Sequence, residues 1–134
     1  MEATAPSDIR RLVYTSVPAG PTCGTDLDRI LVQARRNNGI NGVSGLLVSS
    51  PERYVQVLEG TPEAVDYIMD AICADERHTD LIVLHDSPDG GRTFGGWTMA
   101  NLPGGYDETA VRRQLKHLLR NASEPVRSAF AVLD

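Results

Sequence analysis

The sequence predicts an α+β protein: a ferredoxin-like β-α-β-β-α-β unit with an additional fifth strand, plus C-terminal helices packed on the sheet. The first observation is an alternation of β-prone runs and helical patterns between residues 9 and 102. The second is a hairpin pattern, in which the apolar run 46–48 and the β-prone run 54–58 flank a polar turn. The third is a pair of amphipathic patterns beyond Pro103, which need an apolar surface to cover.

Composition narrows the class of protein. A chain of 134 residues with 41% hydrophobic content predicts one globular domain. A formal net charge of −5 argues against a nucleic-acid footprint, which would need a basic excess. The chain has neither an apolar run of about 18 residues nor a basic segment followed by an apolar one near the N-terminus. We therefore expect a cytoplasmic protein that binds neither nucleic acid nor membrane.

The order of elements follows from local signals. Residues 12–16 read as the first strand, with Leu12, Tyr14 and Ser16 on one face and Val13 on the other. The first helix is predicted to begin after a capping Thr25 and to end at Gly39 in a left-handed conformation.

The second half of the unit has equally clear signals. Thr61 is predicted to cap the second helix, with Pro62 at its first position. Residues 81–84 read as a central strand, and residues 94–99, which include the single tryptophan, as the final strand. This reading divides the chain into a loose N-terminal leader (1–8), the β-α-β-β-α-β unit with its fifth strand (9–102) and a C-terminal helical cap (103–134).

The cap is predicted to contain two short helices. The third helix carries Val111, Leu115, Leu118 and Leu119, and the fourth opens at Ser123. Their apolar stripes are expected to cover the exposed face of the sheet, in this chain or in a neighbouring subunit. Stripes of this kind also predict a homo-oligomer.

Few polar residues stand out as candidate functional groups. Gln56 shares a predicted strand face with Tyr54 and Leu58, and the default interpretation of such an amide is a core-edge group bonded to nearby backbone. Arg35 and Arg36 are interpreted as solvated charges, whereas the neighbouring asparagines at 37 and 38 are equally consistent with a helix cap and with a ligand contact. Neither a Cys-x-x-Cys motif, a histidine spacing for a metal, nor a Ser/His/Asp or Cys/His set is present, so no metal site and no hydrolytic or covalent catalysis is predicted.

Six motifs together carry a resemblance that no one of them would carry alone. Between about residues 9 and 101, their order and spacing resemble those of the BLUF family of flavin-using blue-light receptors. The motifs are Leu-Val-Tyr-Thr-Ser at 12–16, Arg-Arg-Asn-Asn at 35–38, Gly-Val-Ser-Gly at 42–45, Tyr-Val-Gln-Val-Leu-Glu-Gly at 54–60, Asp-Glu-Arg-His at 75–78 and Phe-Gly-Gly-Trp-Thr-Met at 94–99.

The resemblance implies a flavin, FAD or FMN, whose ring lies between the first two helices and above the sheet. It implies that Tyr14 gives an electron and a proton to the excited ring, and that Gln56 is the amide between this phenol and the ring edge. Trp97 and Met99 would be the readout pair on the last strand. The remaining cofactor contacts implied are Ser16, Asn37, Asn38, Asp75, Arg77 and His78.

The chain departs from the family pattern at four positions. Ala34 stands where the family commonly has Ser, Glu52 replaces a turn Gly, and Tyr54 replaces Phe. Ala71 stands where a basic side chain is frequent. The Tyr54 phenol lies two residues from Gln56 and is a possible competitor for electron donation.

The resemblance implies that the protein is a photoreceptor and not an enzyme. This photoreceptor would pass a light-driven change in hydrogen bonding to an unknown downstream protein. One alternative is an acylphosphatase-like hydrolase, which shares the topology, but the loop 17–21 lacks the arginine that its phosphate site needs. The other alternative is a flavin-free interaction module of the same fold. Colour separates the three, because only the receptor should purify yellow.

Overall fold

The computed structural model describes residues 9–18, 24–50, 52–74, 78–88 and 91–131. The predicted leader at residues 1–8 lies outside these ranges. The elements are β1 (Arg10–Pro18), α1 (Gly24–Asn41), β2 (Ser44–Ser49), β3 (Tyr54–Gly60), α2 (Pro62–Cys73), β4 (His78–Pro88), β5 (Ala100–Leu102), α3 (Glu108–Leu119) and α4 (Glu124–Phe130).

The strands form one mixed sheet in the order β4-β1-β3-β2-β5. β3 pairs antiparallel with both β1 and β2, so β1 and β2 run parallel with β3 between them. β4 adds antiparallel to the other side of β1, and β5 adds parallel to β2. This arrangement is the predicted ferredoxin-like fold with a fifth strand. The prediction of a central strand at residues 81–84 is wrong, however, because β4 lies at the edge of the sheet and leaves Ile82 and Val83 exposed.

The sheet buries side chains on both faces. Its front face, under α1 and α2, carries Leu12, Tyr14, Tyr54 and Leu58. Its rear face, under α3 and α4, carries Val13 together with the two valines of β3. The alternation predicted from the sequence is therefore confirmed, because neighbouring strand residues point to opposite faces.

The C-terminal helices pack on the rear face, as predicted. Val111 and Leu115 of α3, with Val126 and Phe130 of α4, join the rear apolar cluster and are at most 4% exposed. The covering layer comes from this chain itself, so these stripes need no second subunit to bury them.

The helix ends agree only partly with the sequence signals. At α2 the Thr61 side chain accepts a hydrogen bond from the Ala64 backbone N–H, as predicted for a cap. The predicted end of α1 at Gly39 is wrong, since the helix continues to Asn41. Gly42, with φ of +68°, takes the left-handed position instead. The predicted Thr25 cap is also wrong, because α1 already begins at Gly24.

The predicted final strand is displaced. Residues 94–99 form turns and bends, in which the Trp97 N–H donates to the Phe94 carbonyl and the Trp97 carbonyl accepts from the Gly45 N–H of β2. The regular strand pairing with β2 is confined to Ala100–Leu102. Two consecutive glycines, Gly95 and Gly96, explain the difference, because glycine disfavours an extended strand and suits a turn. The tryptophan therefore precedes β5 instead of lying on it.

One carboxylate is buried in the rear half of the fold. Glu59 of β3 is 0% exposed and forms a salt bridge of 3.2 Å with Arg11 of β1. Its oxygens also accept from the Ser44 hydroxyl at 3.1 Å and from the backbone N–H groups of Thr93 and Phe94 at 2.8 Å. These bonds join β1, β2 and β3 to the segment that leads toward β5.

We predict that Glu59→Ala lowers the free energy of unfolding by about 3–5 kcal/mol, because it leaves the Arg11 charge and two backbone donors without their acceptor. The matched control is Glu52→Ala in the exposed hairpin turn, which should cost less than about 0.5 kcal/mol. Urea denaturation followed by circular dichroism measures both values. If both variants lowered the free energy of unfolding by the same amount, the buried carboxylate would not be what holds the strands together.

Candidate functional site

The front face contains a cleft between α1 and α2, above the middle of the sheet. We call it the front cleft. Tyr14, Leu47, Tyr54 and Gln56 form its floor. Its walls come from the two helices and consist of Ile30, Gln33, Ala34, Asn37, Asn38, Ile68, Ala71 and Ile72.

The floor of the front cleft holds a buried pair of polar side chains. Tyr14 and Gln56 lie directly opposite each other on β1 and β3 and are 2% and 6% exposed. The Tyr14 hydroxyl donates a hydrogen bond to the Gln56 side-chain carbonyl. A buried phenol and amide are each costly without a partner, so this bond satisfies both groups at the bottom of the cleft.

The other end of the Gln56 amide has a weaker partner. Its Nε2 donates to the sulfur of Met99 at 3.8 Å, and Met99 is 2% exposed. A thioether is a poor hydrogen-bond acceptor. The amide is thus held firmly on the side of Tyr14 and loosely on the side of Met99.

Helix α1 binds the two backbone carbonyls that flank the Met99 side chain, those of Thr98 and of Met99 itself. Asn38 Nδ2 donates to the Thr98 carbonyl at 2.7 Å, and Arg35 Nε donates to the Met99 carbonyl at 3.1 Å. Arg35 also reaches the side chain of Asn101 at 3.4 Å. The interpretation of Arg35 as a solvated charge is wrong, although its spacing of three residues from Asn38 places both on one helix face and could have indicated the role.

The structure separates the predicted readout pair. Met99 contacts Gln56 on the front face, whereas Trp97 packs against the rear apolar cluster. The Trp97 ring lies 6.4 Å from that of Phe94, and its Nε1 donates to Asp107 at 3.4 Å. The turn before β5 takes the chain from one face of the sheet to the other. In an unbroken strand through residues 94–99, Trp97 and Met99 would instead lie on the same face.

The remaining predicted contacts fall into three groups. Asn37 and Asn38 line the front cleft, and Asn38 is 1% exposed. Ser16 is buried on β1 but is not among the residues that line the cleft. Asp75 and Arg77 lie outside the described residues, and for His78, the first residue of β4, only the backbone is described.

Eight of the twelve residues that line the front cleft were not predicted as contacts, among them Gln33, Leu47 and Ala71. Gln33 adds an amide one turn before Asn37, Leu47 adds an apolar surface from β2, and Ala71 leaves room on α2. The position of Gln33 on the same helix face as Asn37, four residues away, is a signal that could have indicated it.

The chemistry of the front cleft suits a planar heteroaromatic group. Aliphatic walls favour burial of a flat ring, while the amides of Gln33, Asn37 and Asn38 offer donors and acceptors at its edge. Asn38 uses one N–H for Thr98 and has a second to offer. An oxidised flavin ring, with carbonyl oxygens and ring nitrogens along one edge, matches this donor set.

The described residues contain neither a cluster of metal ligands nor a helix that could span a membrane. Across the described ranges no group of three or more potential metal ligands comes together. Among the helices in those ranges, none is long and apolar enough to cross a bilayer.

Sequence comparisons identify relatives of the chain. The family described as sensors of blue light using FAD, named BLUF, matches residues 9–100. The photoactivated adenylate cyclase subunit alpha of Euglena gracilis is 40% identical over 99 residues, which cover 72% of this chain and 10% of that protein. Subunit beta of Euglena longa is 40% identical over 96 residues, covering 69% and 11%. The chain thus spans about a tenth of the length of these relatives.

Solved structures give the same result. The dark-state structure of BlrB, a BLUF protein, superposes with a TM-score of 0.71 at 26% identity and covers 90% of both chains. BlrP1 of Klebsiella pneumoniae, determined with FMN and cyclic diGMP, has a TM-score of 0.67 at 30% identity, covering 78% of this chain and 30% of that one. With the family match over most of its length, this chain belongs to the BLUF family of blue-light sensors that use FAD.

Proposed function

We propose that this protein is a blue-light photoreceptor that binds a flavin non-covalently in the front cleft and signals by a rearrangement of hydrogen bonds around Gln56. The observation that carries the proposal is the buried hydrogen bond between Tyr14 and Gln56 on the cleft floor. This bond lies beside the front cleft, whose volume of about 60 Å³ means that α1 and α2 would have to move apart to admit the ring.

The proposed flavin is FAD, by the family's description, with FMN as the alternative because the BlrP1 structure contains it. Asn38 would donate to a ring carbonyl, and Ile30 and Ile68 would pack on its two sides, one from each helix. Asn37 and Ser16 would lie nearby. Asp75, Arg77 and His78 are proposed for the ribityl and phosphate side.

The bound flavin would supply absorption of blue light and a strongly oxidising excited state. Tyr14 would give up an electron and, through its bond to Gln56, a proton, and would take both back afterwards. A phenol with a pKa near 10 is neutral at physiological pH yet oxidisable, which suits this role. No net oxidation follows, so the protein is a sensor and not an enzyme.

Gln56 would retain the change after the electron returns. Its weak bond to the Met99 sulfur costs little to give up, so the amide can rotate or tautomerise while Tyr14 is oxidised. A single net hydrogen bond is worth about 0.5–1.5 kcal/mol, which is too small a bias to keep the new arrangement indefinitely. The lit state should therefore return spontaneously in the dark.

Met99 would transmit the change. It leads directly into β5, which is followed by the rear helices, and its own backbone carbonyl is held by Arg35 of α1. Trp97, next to this segment on the rear face, would respond as the second half of the readout. The proposed receiver of this change is an unknown downstream protein. We also propose self-association into a homo-oligomer, for which the exposed Ile82 and Val83 of the edge strand β4 offer an apolar surface.

The first prediction concerns the cofactor. Purified protein should be yellow, and denaturation should release a free flavin, because no covalent link is proposed; chromatography of the released pigment distinguishes FAD from FMN. A well-folded protein that stays colourless after incubation with excess FAD and FMN, and quenches the fluorescence of neither, would support the flavin-free module instead.

The second prediction compares two phenols on the cleft floor. Tyr14→Phe should retain flavin and lose the red-shifted lit state, because it removes the hydroxyl bonded to Gln56. Tyr54→Phe is the matched control and should keep the shift, since Tyr54 is proposed to act in packing. Absorption spectra before and after blue light measure both. If Tyr54→Phe lost the red shift and Tyr14→Phe kept it, Tyr54 and not Tyr14 would be the electron donor.

The third prediction concerns the restraint on Met99. Arg35→Met should keep the size of the red shift but speed dark recovery about fivefold, because losing about 1 kcal/mol of restraint on β5 lowers the barrier to reversal. Arg36→Met, at the exposed neighbouring position, should recover at the normal rate. Recovery of absorbance after a blue pulse is the measurement. Identical rates in the two variants would show that Arg35 plays no part in the switch.

A further inference from the structure

A second cavity lies on the opposite side of the sheet from the front cleft. We call it the rear groove; it is open to solvent and has a volume of about 710 Å³ between β1, β4, α3 and the turn from α3 to α4. Binding sites for small molecules have volumes of about 300–1,000 Å³. The groove shares no lining residue with the front cleft, so the proposed flavin chemistry does not account for it.

The charge of the rear groove differs from that of the whole chain. The protein has 18 acidic residues against 13 lysines and arginines. The described residues that line the groove include Arg11, Arg92, His85 and His117, and none of them is acidic. A basic lining in an acidic protein concentrates positive potential in one place.

The buried Glu59 offsets only part of that charge. It forms its salt bridge with Arg11. Arg92, in contrast, donates to neutral acceptors: the Ser44 hydroxyl at 3.0 Å and the backbone carbonyls of Gly42 and Glu59 at 2.8 and 3.0 Å. Within the part of the chain that the structure describes, no carboxylate forms a salt bridge with Arg92, so its guanidinium brings positive charge to the sheet side of the groove.

The opposite wall adds groups that recognise an anion. His117 and Gln114 stand on α3, and Asn121 follows it at the turn to α4. Imidazole N–H and amide N–H groups both donate hydrogen bonds to oxyanions. The charges on the sheet and the donors on α3 thus face one space.

The groove also has an apolar part. Leu118 of α3 and Ala122 at the turn to α4 contribute to its lining, whereas Val13 and Val126, at 1% and 2% exposed, add almost no surface. Apolar surface beside cationic groups suits a ligand with an anionic head and an apolar body, whereas a bare inorganic ion would leave that surface wet.

We propose that the rear groove is a binding site for a small organic anion, a carboxylate or a phosphate ester on an apolar body. The site is distinct from the flavin site and lies where α3 and α4 pack on the sheet. The anion site does not depend on flavin binding or on photochemistry. The proposal of an anion site and the proposed photoreceptor function can therefore fail independently of each other.

The test is a titration of the full chain, as purified and in the dark, followed by chemical-shift changes of backbone amides. Hexyl phosphate and heptanoate are the probes and distinguish the two head groups, while hexanol lacks the charge and inorganic phosphate lacks the body. We expect at least one organic anion to bind about tenfold or more tightly than either partial probe, with shifts around α3 and the turn to α4 and an unchanged flavin spectrum.

Variants locate the site. Gln114→Glu places a negative charge in the groove and should weaken binding of that anion about tenfold or more, whereas Thr109→Glu adds the same charge at an exposed position of α3 outside the lining and should not. His117→Gln provides a second test if Gln114→Glu does not fold. The proposal is overturned if neither anion binds at millimolar concentration, if hexanol binds equally well, or if the folded groove variants bind as the wild type does.

Discussion

The burial of β3 on both faces is the constraint on which the rest of the structure depends. All seven residues from Tyr54 to Gly60 are buried, although the strand includes an amide and a carboxylate. Because neighbouring side chains point to opposite faces, Gln56 faces the front cleft and Glu59 faces the rear. Each buried polar group needs partners from other elements, which Tyr14 supplies on the front and Arg11 on the rear. One strand thereby joins the proposed switch to the structural centre of the rear half.

The same arrangement suggests how a small local change could travel. The Gln56 amide is bonded to the sulfur of Met99, whose carbonyl is held by Arg35. The residue before it is held by Asn38. In the proposed switch, a reoriented amide would act on a segment that is already tied to α1 and that leads through β5 to the rear helices. These contacts connect the front of the protein to the rear, so the proposed signal would need no large motion.

Much of the fold could be predicted because its signals are local. Alternation in β1 and β3 gave the correct faces for Tyr14 and Gln56, and the Thr61 cap and the rear position of α3 and α4 were also correct. The contacts of the candidate functional site were harder to predict. The contact of Arg35 with the Met99 backbone joins parts of the chain 64 residues apart, and an isolated arginine at a helix end is usually solvated. The position of Trp97 could not be predicted because a turn at two glycines replaces the expected strand and changes the face of the sheet.

The central claim is that Gln56 is the switch and not only a satisfied buried amide. The most direct test is a light-minus-dark absorption spectrum of Gln56→Leu, which keeps much of the side-chain volume but removes every hydrogen bond of the amide. Our account predicts that this variant still binds flavin and shows no red-shifted difference spectrum after blue light. A normal red shift in a folded, flavin-loaded Gln56→Leu protein would contradict it and would return Gln56 to a purely structural role.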